Sequence, residues 1–79
     1  MITNQQLSTI LKKSTSVIFI YDNMLEGEAD KKGGDYRFDD TTLLTIANQT
    51  FSKVVGEPIN LSRKEADAIL DIIDRQNWG

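Results

Sequence analysis

Neither cysteine nor histidine occurs anywhere in these 79 residues, so the chain must hold its fold by packing and hydrogen bonding, without a covalent cross-link. No disulfide can brace it, and no thiolate or imidazole is available for a zinc or iron–sulfur site. The usual proton shuttle near neutral pH is missing as well. The length supports one small domain, residues 1–79, with a thin core, since domains of about 60 residues bury only about 60% of the surface their unfolded chain exposes. The longest apolar run, Val17-Ile18-Phe19-Ile20-Tyr21, falls far short of the ~20 residues that span a bilayer. The first residues have neither the basic start nor the apolar stretch of a secretory signal. A soluble, cytoplasmic domain without membrane contact is therefore expected, in which the triplets Asn48-Gln49-Thr50 and Asn60-Leu61-Ser62 match a glycosylation signal by chance.

Helical spacing opens the chain. Thr3 or Asn4 can cap, and Leu7, Ile10 and Leu11 share one face at i, i+3 and i+4, giving a helix that ends near Ser14. Residues 17–21 are β-branched or aromatic on both sides of the alternation, which predicts a central strand covered on both faces. Gly27, Gly33 and Gly34 among charged residues make 23–35 a flexible acidic loop. Tyr36 and Phe38 then alternate with Arg37 before a turn at Asp39-Asp40-Thr41, and residues 43–48 and 50–55 read as further short strands of a meander.

The last element is the clearest. Gly56-Glu57-Pro58 stops the preceding strand, and Ser62-Arg63-Lys64-Glu65 fits a capping box with Leu61 placed as its staple. Ala66, Ile69, Leu70 and Ile73 continue from it as one apolar stripe, with fraying from Gln76 and Asn77. The predicted class is α+β: an N-terminal helix, a three- or four-stranded antiparallel sheet and a C-terminal helix, in the order α-β-β-β(-β)-α.

Carboxylates are the only acid–base candidates, and the Asp39-Asp40 pair is expected to serve its turn. The alternating oxygens of 26–30 lack the spacing, the bidentate Glu and the flanking helices of a calcium loop. No phosphate loop, dinucleotide fingerprint or serine elbow is present. No catalytic residue, metal ligand or cofactor site is predicted, and the chain reads as a non-enzyme.

Charge placement is more informative than net charge, which is -3. Between positions 22 and 40 seven acids (Asp22, Glu26, Glu28, Asp30, Asp35, Asp39, Asp40) face three bases (Lys31, Lys32, Arg37), a local balance of -4. Asp67, Asp71 and Asp74 fall on one flank of the last helix, where Arg63 and Arg75 can pair with Asp67 and Asp71 at i, i+4. Two readings stand: a merely solvated face, or an anionic surface that docks a basic partner. Direct nucleic-acid binding is disfavoured, because the bases are scattered and Phe19, Tyr21, Tyr36 and Phe38 read as core rather than a stacking platform. Trp78 either folds back on the last helix or lies free for a partner.

Two resemblances start at Tyr36-Arg37-Phe38-Asp39-Asp40. From there through Val54-Val55-Gly56-Glu57-Pro58-Ile59-Asn60-Leu61-Ser62-Arg63-Lys64-Glu65-Ala66 the chain resembles the strands and first helix of OmpR/PhoB-type winged-helix domains, a likeness over residues 36–73. No counterpart of that family's recognition helix is present, so DNA reading is not implied. Taken with the first helix, the same block is similar in outline to small acidic anti-CRISPR proteins of phages. That likeness implies an aromatic-x-Phe-Asp-Asp hairpin at Tyr36, Phe38, Asp39 and Asp40, and a helix bearing Asp67, Asp71 and Asp74, both turned toward a nucleic-acid-binding surface.

The leading expectation is a non-enzymatic inhibitor or regulator that meets a basic protein through Asp22, Glu26, Glu28, Asp30, Asp35, Asp39, Asp40, Asp67, Asp71, Asp74 and Trp78. The alternatives are an accessory transcriptional regulator on a truncated winged-helix-like frame and a structural homodimer module. The chain itself is expected as a monomer or homodimer.

Overall fold

The first and last helices lie where the apolar spacing places them. In the computed structural model, which describes residues 2–78 and side chains through Asn77, α1 spans Asn4–Lys12 and α4 spans Arg63–Trp78. Thr3 caps α1 with a complete capping box: its hydroxyl accepts from the Gln6 amide at 3.1 Å, and the Gln6 side chain accepts from the Thr3 amide at 3.0 Å. Ser62 and Glu65 do the same for α4, at 3.3 and 3.4 Å. The first helix stops at Lys12 rather than Ser14, and the last continues past Gln76 and Asn77, where fraying was expected.

Between them the expected sheet is absent. No strand occurs among the described residues, and the α+β class gives way to four helices, with α2 over Ser14–Lys31 and α3 over Asp40–Val55. Residues 17–21, expected as the central strand, belong to the first half of α2. Most of the expected 23–35 loop is its second half, so that acidic stretch is helix as far as Lys31. Residues 36–38 form no strand but part of the connection to α3. The two strands expected over 43–48 and 50–55 are one uninterrupted helix, and the turn expected at Asp39-Asp40-Thr41 is its start, where the Asp39 carboxylate accepts from the Thr42 amide at 2.8 Å.

Packing decides against the strands. Val17, Tyr21, Met24, Leu25 and Ala29 recur at i, i+4, i+7, i+8 and i+12, and all are buried or half-buried. Leu43, Leu44, Ala47, Phe51, Val54 and Val55 repeat that rhythm in α3. β-branched residues lower helix propensity by only a few tenths of a kcal/mol each. Burying one Val, Leu, Ile or Phe side chain returns about 1.5–3 kcal/mol. An apolar stripe therefore overrides seven β-branched residues in α3.

Glycine ends both inner helices. Gly33 (φ 74°) and Gly34 (φ 90°) close α2 in a Schellman arrangement, with the Gly34 amide donating to the Ala29 carbonyl at 2.7 Å and the Gly33 amide to Asp30 at 3.2 Å. Gly56 (φ 82°) ends α3.

The third helix packs against the other three. Ile10, Val17, Ala47, Phe51, Ile59, Leu61, Ala66, Ile69 and Ile73 form one buried cluster drawn from all four helices and from the 56–62 connection. That connection is pinned to α3 by side chains. Asn48 exchanges two hydrogen bonds with the Leu61 backbone, donating to its carbonyl at 3.1 Å and accepting from its amide at 2.8 Å. The Ser52 hydroxyl accepts from the Ile59 amide at 2.8 Å. Asn48, the first residue of an apparent glycosylation triplet, is thus committed to holding the chain. Thr50 of the same triplet is buried, with its hydroxyl donating to the Ile46 carbonyl.

The aromatic residues expected in the core lie mostly outside it. Phe19 is 67% and Tyr36 62% exposed, while Tyr21 and Phe38 are half-buried. Tyr36 meets Phe38 edge-on, and the Lys32 ammonium lies 4.9 Å from the Phe38 ring centre, which braces the 32–39 connection locally.

Candidate functional site

Helical geometry sorts the eleven expected partner-binding residues into separate groups. On α2, Asp22, Glu26 and Asp30 stand at i, i+4 and i+8, and at ~100° per residue they fall on one outer flank with Phe19. All four are exposed, and none of the three acids has an ion pair among the described residues. Like charges at i, i+4 destabilise a helix by about 0.2–0.5 kcal/mol per pair, and a Phe side chain left in water contributes no burial. Neither feature serves the fold.

Glu28, Asp35 and Asp39 do serve it. Glu28 is half-buried and pairs with Lys31 at 3.5 Å. Asp35 binds Arg37 twice over, side chain to side chain at 3.1 Å and from the Arg37 amide at 2.9 Å, contacts that hold its carboxyl below the usual range. Hydrogen bonding from Thr42 does the same to Asp39 at its capping position. The aspartates of the expected hairpin are therefore part of a helix start and its approach.

A third group joins helices. Arg63 reaches Asp40 of α3 at 2.6 Å and Asp67 of α4 at 3.2 Å, and both carboxylates hold its guanidinium more firmly protonated. Asp71 pairs with Arg75 at 3.1 Å. These pairs are exposed and screened by solvent, so they add little to stability, and they reduce the charge that Asp40, Asp67 and Asp71 present. Asp74 has no ion pair among the described residues. The side chain of Trp78 lies outside the described residues.

What unites α2 with α4 is a groove that no sequence motif announces. Val17, Ile18, Tyr21 and Asp22 line it from α2, and Leu70, Ile73 and Asp74 from α4, around a volume of about 310 Å³. Its floor is apolar and both walls end in carboxylates. Burial, then the negative charges of Asp67, Asp22 and Asp74, push the Tyr21 hydroxyl above its ordinary value. Three carboxylates from two helices thus act on one point. Tyr21 and Leu70 also line a separate, smaller hollow with Leu43, Leu44, Asp40, Arg63 and Asp67.

The spacing behind the α2 wall of this groove is Val17, Ile18, Tyr21 and Asp22, at i, i+1, i+4 and i+5. The unbroken 17–21 apolar run masks it, because a short apolar strand cannot be told from a buried helix segment by its period alone. No group of three or more carboxylates is placed to hold a metal ion among the described residues, and no described helix is long and apolar enough to cross a membrane.

The chain matches no protein-family model, and no curated protein or solved structure is significantly similar to it. The strands and hairpin that the resemblances over residues 36–73 imply do not occur among the described residues.

Proposed function

We propose that this chain is a small non-enzymatic protein-binding domain, an inhibitor or regulator that presents the acidic face of α2 and α4 to a basic protein. The carrying observation is the set Asp22, Glu26, Asp30 and Asp74, without ion pairs among the described residues: the first three follow the outer flank of α2 that also carries the exposed Phe19, and Asp22 and Asp74 line the groove between α2 and α4. A surface that costs the fold helix stability and leaves a Phe in water is explained by what binds there. Focused charge of one sign speeds encounter with an opposite patch and selects among partners, and an aromatic residue beside it supplies contact area once water is expelled.

Two variants of equal net charge separate placement from quantity. Asp22→Asn, Glu26→Gln, Asp30→Asn and Asp74→Asn together remove four charges from the face; Gln5→Lys, Thr41→Lys, Thr45→Lys and Gln49→Lys add four elsewhere. Either set takes the formal charge from -3 to +1. In quantitative capture from lysate at low salt, basic proteins retained by the parent are expected to fall at least tenfold with the first variant and to persist with the second. The first variant should also unfold at slightly higher urea concentration, because two like-charge pairs on α2 are gone. Equal capture by both variants refutes the assignment of this face.

A further inference from the structure

Two separate depressions share Tyr21 and Leu70 in their walls, and they differ in what meets their carboxylates. In the smaller hollow, aspartates from two helices are bridged by the chain's own arginine: Arg63 reaches Asp40 of α3 at 2.6 Å and Asp67 of α4 at 3.2 Å. The groove between α2 and α4, about 310 Å³, repeats this arrangement with Asp22 on one helix and Asp74 on the other. Among the described residues neither of these carboxylates has an ion pair, and no cationic side chain lines the groove. Of its apolar lining, Val17 and Ile73 are fully buried, which leaves half-buried Ile18, Tyr21 and Leu70 as the surface an occupant can touch. The groove takes in only residues 17–22 of α2 and 70–74 of α4. That is about 6–8 Å along either helix axis, the scale of a side chain rather than of a helix or strand.

We infer that this groove receives one arginine side chain of the basic partner, its guanidinium shared by Asp22 and Asp74 and its methylenes against Ile18 and Leu70. This rests on the proposed function and names the residue type by which the partner is held. A guanidinium carries five N–H donors in one plane and can serve two carboxylates at once, as Arg63 does in the neighbouring hollow. It is also weakly hydrated and stacks on aromatic rings, which suits an apolar lining that includes Tyr21. Burial, then the charges of Asp67, Asp22 and Asp74, keep the Tyr21 hydroxyl protonated, so its ring adds no competing charge. A lysine ammonium is compact and strongly hydrated, and it fits this lining less well.

The test is an NMR titration of the isotope-labelled full chain with three blocked amino acids: acetyl-arginine amide, acetyl-lysine amide and acetyl-citrulline amide. Citrulline has the shape of arginine without its charge. The arginine compound is expected to shift the side chains of Ile18, Tyr21 and Leu70 saturably. Citrulline should bind at least fivefold more weakly, and lysine at least twofold. Asp22→Asn and Asp74→Asn, both at exposed positions, should each weaken arginine binding at least threefold. Glu57→Gln removes the same charge beside Thr3 and Gln6, and should leave that binding unchanged. Equal binding of citrulline overturns recognition of a cation, and equal binding of lysine overturns the guanidinium as the group recognised. Arginine binding confined to the Glu26 and Asp30 flank, or no saturable binding, overturns the groove as the seat. The acidic-face reading fails separately, when the two charge variants capture basic proteins equally.

Discussion

Replacing Phe51 by alanine is expected to remove about 3–5 kcal/mol of stability. Phe51 is fully buried in α3, which packs against all three other helices, as α2 also does, and its ring belongs to the cluster with Ile10, Val17, Ile69 and Ile73. Truncation loses the transfer free energy of the ring and leaves a cavity that four helices must collapse into. A domain of this length has roughly 4–12 kcal/mol of stability in total, at 0.05–0.15 kcal/mol per residue. The variant should therefore sit close to its unfolding threshold. Urea unfolding followed by far-ultraviolet circular dichroism measures this, with Phe19→Ala as the counterpart. Phe19 is 67% exposed, and its removal should change stability by no more than about 0.5 kcal/mol. Similar losses for the two would contradict the packing described here.

The second large effect is expected at Asn48. Its side chain replaces a missing strand neighbour for Leu61, satisfying both the amide and the carbonyl of one residue in a connection that has no regular structure. Asn48→Ala leaves both groups unpaired where they are partly shielded from water, at about 1–3 kcal/mol for each unsatisfied group. A loss of about 2–6 kcal/mol is expected from the two together. It is local in origin, because Leu61 anchors the approach to α4 and Ile59 is held separately by Ser52. Hydrogen exchange at the Leu61 amide reads it directly. Protection of that amide should fall before the protection of α3 amides does, whereas an unchanged Leu61 rate would show that the connection is held by packing instead.

The ends of this chain can be read from its residues, and its middle cannot. Ser62 and Glu65 at cap spacing, with Ala66, Ile69 and Ile73 after them, leave a single solution for α4. Thr3 with Leu7, Ile10 and Leu11 does the same for α1. In α2 and α3 two signals conflict. Val17, Ile18 and Ile20, and later Thr45, Ile46, Thr50, Val54 and Val55, favour extended backbone one residue at a time. The stripes that oppose them run the length of each helix, and only their sum wins. Gly33 and Gly34 do mark a break, yet the break lies at the end of α2, where left-handed residues close a helix, and 23–31 precede it as helix.

The candidate site divides in the same way. That charge gathers between positions 22 and 40 is legible in the residues. Which of those acids are spent on caps and local pairs depends on Asp39 beginning a helix and on Arg63 lying beside Asp40. Tyr21, Ile18 and Leu70 cannot form a groove while 17–21 is read as a strand.

The central claim, that negative potential is concentrated on the α2–α4 face, can be measured without any partner. Paramagnetic relaxation of backbone amide protons by a cationic and by an anionic co-solute gives the local potential residue by residue. The cationic probe is expected to be preferred most strongly at residues 19–30 and at 70–74. That preference should be much weaker at 35–40, where Asp35 is paired with Arg37 and Asp39 caps α3. A potential of equal strength over the whole surface, or a maximum at 35–40, would contradict it.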